Sequence, residues 1–174
     1  ERDRLQSEAF NLIEAASTLL AWGGMRLDAG RFAAAEPEAA LKALERLVLA
    51  ASGRPAPPAP VQLGAVLNAL AAGRAASLGG AHLTAGGVLG RDAGAAGRAD
   101  GAAAAPALRL GPGQSGVFDG RWRVRAERPV RIEVLGERAG GLSGDVPPAL
   151  RPGLAAICDA ASGERLGVAG LDRM

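Results

Sequence analysis

The residues that could do chemistry are few. His82 is the only histidine and Cys158 the only cysteine. One imidazole and one thiol cannot complete a zinc site, which takes four ligands or three and a water. Cys158 sits in the apolar run Ala155-Ala156-Ile157-Cys158 with no histidine near it in sequence, so it reads as core filler rather than an activated nucleophile. His82 lies in an apolar strand pattern and reads as a packed or surface residue. No Gly-x-x-x-x-Gly-Lys-Ser/Thr loop is present, nor a Ser-Gly-Gly-x-Asp-Ser loop, so the glycines cradle no phosphate in a recognisable arrangement. Glu36 and Glu38 flank Pro37 at a helix start, where carboxylates meet the positive end of the helix dipole. The chain by itself lacks the parts of an enzyme, and a hydrolase built on His82 or Cys158 is the weakest of the readings considered.

Arginine is what remains. Of the 20 basic residues all but Lys42 are arginine, and they are unevenly placed. Residues 1–53 carry 6 basic and 8 acidic groups, residues 54–131 carry 10 and 4, and residues 132–174 carry 4 and 6. The middle third is therefore +6 (10 minus 4) between two mildly acidic ends, a geography that suits an anionic partner such as nucleic acid. A GC-rich coding bias would also enrich arginine. In Arg121-Trp122-Arg123-Val124-Arg125 the arginines share one strand face and Trp122 and Val124 the other, and with Arg128 and Arg131 they could track a phosphate backbone. A solvated sheet face balanced by Glu127 and Glu133 is the other reading of the same pattern.

The elements that must position these groups change character along the chain. Apolar residues make up 48% of it but aromatics only 3%, with alanine and leucine dominant, so the core is expected to be thin. In the first half apolar residues recur every three or four positions. The spacing predicts a helix over 2–22 ended by Gly23-Gly24, an extended Met25–Leu27, a turn of helix capped by Asp28, and helices over 37–51 and 60–72. Arg54 to Pro60 reads as a stiff connector. Ser77–Thr84 and Val88–Arg91 then read as a hairpin around Ala85-Gly86-Gly87, with Gly79-Gly80 a bulge or close backbone approach.

Residues 93–106 are alanine- and glycine-rich and read as a linker. Beyond it short strands are expected at Leu108–Leu110, Gly116–Phe118, Trp122–Ala126 and Val130–Leu135, then a short helix near Ala149–Gly153 and a last hairpin from Leu154–Asp159 and Leu166–Ala169. The expected class is α+β: an N-terminal helical bundle ending in a β-hairpin (1–92), a linker (93–106) and a small β-rich C-terminal domain (107–174). A lone cysteine points to a cytoplasmic protein, and apolar runs are broken well short of the ~18 residues of a membrane span. The chain opens at Glu1 inside a helical pattern, which reads as a piece of something longer.

Taken in order, these segments resemble the C-terminal, non-catalytic part of bacterial tRNA(Ile)-lysidine synthetase in its α-proteobacterial form. Arg2-Asp3-Arg4-Leu5 is similar to the helix leaving the catalytic domain. Ala35-Glu36-Pro37-Glu38-Ala39-Ala40-Leu41-Lys42-Ala43-Leu44, with Gly53-Arg54-Pro55 and Pro57-Pro58, resembles that family's helix and "GG-x-x-YPPR" connector. Ala76-Ser77-Leu78-Gly79-Gly80 with Arg91-Asp92 resembles its "TLGGC … RE" hairpin, and Phe118-Asp119-Gly120-Arg121-Trp122 its "WDGRF" hairpin. Pro147 to Asp159 is similar to the "LP-x-x-x-R-x-x-LPALWD" ending. Lys42 stands where the family usually has arginine, Ala81 where it has cysteine and Asp92 where it has glutamate.

The resemblance implies an ATP-dependent ligase that adenylates C2 of cytidine 34 in the tRNA(Ile) anticodon. Free lysine then displaces AMP, and codon reading moves from AUG to AUA. ATP with magnesium and lysine would be substrates of the full-length enzyme, with no cofactor in this stretch, whose part would be to engage tRNA and which would be inactive alone. The candidate tRNA contacts are Lys42, Arg54, Arg74, Arg91, Arg121, Arg123 and Arg125. The competing reading is a protein-interaction or homodimerisation module without RNA contact, meeting another chain through the leucine stripes of residues 5–20 or 41–48.

Overall fold

The computed structural model describes residues 2–92, 94, 105–140, 142 and 144–171. The chain divides into two compact units, Glu1–Gly90 and Arg91–Met174. The linker expected over 93–106 falls almost wholly outside the described residues.

Unit 1 is built from α1 (Arg2–Ala16), β1 (Ser17–Leu19), β2 (Met25–Leu27), α2 (Ala29–Ala34), α3 (Pro37–Ser52), α4 (Pro60–Ala71), β3 (Ala76–Leu78), β4 (Ala81–Leu83) and β5 (Val88–Arg91), whose last residue, Arg91, belongs to the second unit. Proline opens α3 at a position whose N–H needs no partner, and the N–H of Gly53 closes it on the Leu49 carbonyl at 2.9 Å. Leu44, Leu47 and Val48 are buried on this helix together with Ala40, Ala43 and Ala51. The alanines let α1 and α4 pack closely against α3, and each buried leucine contributes about 2 kcal/mol. Asp28 caps α2 as its type predicts, its carboxylate accepting the Arg31 N–H at 3.0 Å.

Two elements differ from expectation. The first helix stops at Ala16, and Ser17–Leu19 pairs antiparallel with Met25–Leu27. Gly23-Gly24 thus turns a hairpin rather than ending a helix. Trp22 folds back over Gly24, where an added Cβ would lie 2.0 Å from the indole ring. Gly24→Ala should therefore expel Trp22 from its buried seat and cost about 1–2 kcal/mol in a thermal melt. The second difference lies at Gly79-Gly80. Both take left-handed backbone (φ 59 and 90) and form a two-residue turn that makes β3 and β4 a hairpin of their own, with Leu78 facing Ala81. The result is a five-stranded sheet, β1-β2-β5-β4-β3, in place of a single hairpin.

Unit 2 is β-rich, as expected. Strands β6 (Leu108–Leu110), β9 (Val130–Val134), β10 (Ala155–Asp159) and β11 (Arg165–Val168) form a sheet in the order β11-β10-β9-β6. Strands β7 (Ser115–Phe118) and β8 (Trp122–Arg125) form a separate two-stranded ribbon. Phe118, Trp122 and Val124 of the ribbon share a core with Leu110, Val130, Ile132, Ala155 and Ile157 of the sheet. Every residue of β10 but Asp159 is buried, so both sheet faces are covered there. Short 3-10 helices at Gly136–Ala139 and Pro148–Gly153 pack against each other, the second where a short helix is expected.

Candidate nucleic-acid interface

The β7–β8 ribbon decides which arginines face outward. Asp119 (φ 51) and Gly120 (φ 65) both adopt left-handed backbone, the geometry of a tight hairpin turn matched to strand twist. Asp-Gly is the pair best able to adopt it. The turn fixes the register Ser115↔Arg125, Gly116↔Val124, Val117↔Arg123 and Phe118↔Trp122. Trp122 and Val124 are thereby turned onto the core, and Arg123 and Arg125 to solvent. Their cross-strand neighbours are Val117, itself 57% exposed, and Ser115. Neither neighbour can neutralise a guanidinium, and among the described residues no ion pair forms to Arg123 or Arg125.

Two of the expected contacts lie elsewhere. Arg121, the last residue of the turn, does not join the exposed arginine face. Its Nη2 is 2.7 Å from Asp119 Oδ2 and also donates to the Gly153 carbonyl at 3.3 Å. Arg91 pairs with the same carboxylate: its Nη2 donates to Oδ1 and its Nε lies beside Oδ2, both at 3.0 Å. The three side chains are 4–9% exposed, so Arg91 and Arg121 hold the second unit together and present no surface to a phosphate. Burial pulls the Arg121 pKa below the ordinary arginine value, and Asp119 only partly offsets this. The phase of alternation alone grouped Arg121 with Arg123 and Arg125.

The other three lie in unit 1. Lys42 pairs with Glu45 at 2.7 Å. Arg54 is half-buried after α3, and Arg74 is exposed after α4. Of the seven, only Arg74, Arg123 and Arg125 are exposed, and only the last two are neighbours on one surface.

A feature with no local signal in the sequence adjoins that surface. Where β8 leaves the ribbon, a pocket of about 550 Å³ opens in unit 2. Val124, Val130, Ile157 and Leu166 form its apolar walls, and Arg125, Glu127 and Arg128 its polar edge. Ile157 and Leu166 come from the final hairpin, more than thirty residues on in sequence.

The remaining reactive types are accounted for by structure. His82 Nδ1 is 2.8 Å from Ser77 Oγ, its cross-strand partner. Cys158 is buried with Sγ 3.9 Å from Glu133 Oε1. Burial raises the Glu133 pKa, but the bonds from Arg138 and Arg131 together outweigh it and hold the carboxyl below the usual glutamate value. Asp159, whose carboxylate accepts the N–H groups of Ser162 at 2.8 Å and Ala161 at 3.0 Å, is lowered too. A carboxyl depressed in the folded state stabilises above its unfolded pKa, and that stability is lost as pH falls through the folded value. Unit 2 should thus lose stability below about pH 4. Thermal melts of Glu133→Gln across that range should show a shallower acid dependence than the parent chain.

No family model, curated protein or solved structure matches the chain. No described helix is long and apolar enough to cross a membrane.

Proposed function

We propose that this chain is the tRNA-engaging, non-catalytic part of a lysidine-forming ligase, an enzyme that uses ATP and lysine to modify cytidine 34 of tRNA(Ile). The ligase chemistry would belong to residues outside this stretch. The reading rests on the ordered resemblance of its segments to that family, and on one structural observation: Arg123 and Arg125 stand side by side on an exposed ribbon with neutral cross-strand partners. Guanidiniums so placed can meet successive phosphates, and RNA is held largely through phosphates and shape.

Binding of the chain to tRNA(Ile) at two salt concentrations tests this. Counterion release should weaken binding about tenfold or more between about 50 and about 200 mM salt. Equal, feeble and salt-insensitive association with every tRNA would refute it.

The interaction-module alternative finds one supporting observation. Leu19 on the edge strand β1 is 74% exposed and Phe10 on α1 is 55% exposed. Its other surface is gone, because the stripe of residues 41–48 lies in the unit 1 core. Light scattering that shows a dimer, with tRNA binding indifferent to charge at Arg123 and Arg125, would favour that reading.

A further inference from the structure

We infer that the pocket beside the ribbon receives one unstacked base of a single-stranded RNA segment whose phosphates lie on Arg123 and Arg125. The inference deepens the reading of unit 2 as an RNA-binding surface and rests on it.

Size, chemistry and position support the assignment. A volume of about 550 Å³ is ample for one nucleotide. Val124, Val130, Ile157 and Leu166 line the pocket with apolar side chains on which a base can pack, which a solvated phosphate or sugar would not need. Arg125 belongs both to the exposed arginine pair and to the pocket lining, so the two features adjoin at the end of β8. Arg128, also at the edge, is exposed and adds a second cation there.

Glu127 is the informative residue. A carboxylate at the mouth of a site meant only for anions would oppose them. It suits a base carrying an exocyclic amino group, which a carboxylate accepts as a hydrogen-bond donor. The pocket should therefore prefer cytosine, adenine or guanine over uracil.

The test compares labelled RNA hexamers of cytidine and of uridine with a hexamer of the same length whose residues are abasic, each titrated into the full chain. Leu166→Trp fills the pocket from a half-buried position. It should weaken the cytidine hexamer about tenfold and leave the abasic one unchanged. Glu127→Gln should reduce the preference for cytidine over uridine severalfold. Methyl resonances of Val124, Val130, Ile157 and Leu166 in the unaltered protein provide a second measurement that needs no stable variant. They should shift with the cytidine hexamer and stay still with the abasic one. Equal binding of cytidine and abasic hexamers, with still methyl signals, would overturn the pocket assignment while leaving the arginine surface in place. Loss of all binding at low salt, abasic strand included, would instead overturn the RNA reading itself.

Discussion

Replacing Asp119 by asparagine should destabilise the second unit by about 3–5 kcal/mol. The carboxylate serves two guanidiniums at once, those of Arg91 and Arg121, and all three side chains are shut off from water. Without its charge two cations remain in a poorly solvated site, and Arg121 already feels Arg91 as an unfavourable neighbour. Asparagine separates charge from turn geometry. It tolerates the left-handed backbone that Asp119 adopts, so the hairpin itself should survive. Asp119→Ala, which loses both, should be worse still. For a unit of this size such a loss lowers the melting temperature by more than about 10 °C. A melt within about 2 °C of the parent would show that the guanidiniums find water or another acid, and that the network contributes little.

That network also shows what sequence can and cannot convey. The Phe118 to Trp122 hairpin is legible because its signals are local: Asp-Gly between aromatic residues, then alternation. The pairing of Arg91 with Asp119 spans 28 residues, and nothing at either end announces it. Arg121 obeys the same two-residue period as Arg123 and Arg125. What removes it from their face is its place in the turn, outside β8, where it bonds the Asp119 carboxylate.

A similar divide runs through unit 1. The third helix can be read because proline at its start, glycine past its end and a leucine stripe agree. The switch from helix to strand after Ala16 cannot, because Leu19 and Leu20 continue the helical spacing. Pairing with Met25–Leu27 and the seating of Trp22 on Gly24 decide it, and both depend on residues the stripe does not contain. At Gly79-Gly80 glycine signals a departure from a regular strand. Only the register of Leu78 with Ala81 distinguishes a full reversal from a bulge.

The pocket beside the ribbon was the least legible feature of all. Each wall residue is an ordinary core type at its own position, and Arg128 and Glu127 look like a solvated turn. The enclosure exists because the last hairpin returns Ile157 and Leu166 to the end of β8. The sequence does show the charges at its edge, and those can be tested without reference to the pocket.

Reversing both exposed charges, Arg123→Glu with Arg125→Glu, should weaken tRNA(Ile) binding about 100-fold near physiological salt, a cost of about 2.7 kcal/mol. Two favourable phosphate contacts are lost and two repulsions added, and the slope of affinity against salt should flatten by the two contacts removed. Folding should be indifferent. Both side chains are exposed, form no ion pair among the described residues and face valine and serine across the ribbon. Arg121→Glu makes the contrast sharp. It should unfold the second unit by setting two buried carboxylates side by side, so binding and stability fall together. Loss of binding at unchanged melting temperature for the 123/125 pair, against joint loss for 121, distinguishes a surface that touches RNA from a scaffold that only shapes it. Full tRNA affinity in the folded double variant would show that the ribbon is not the interface.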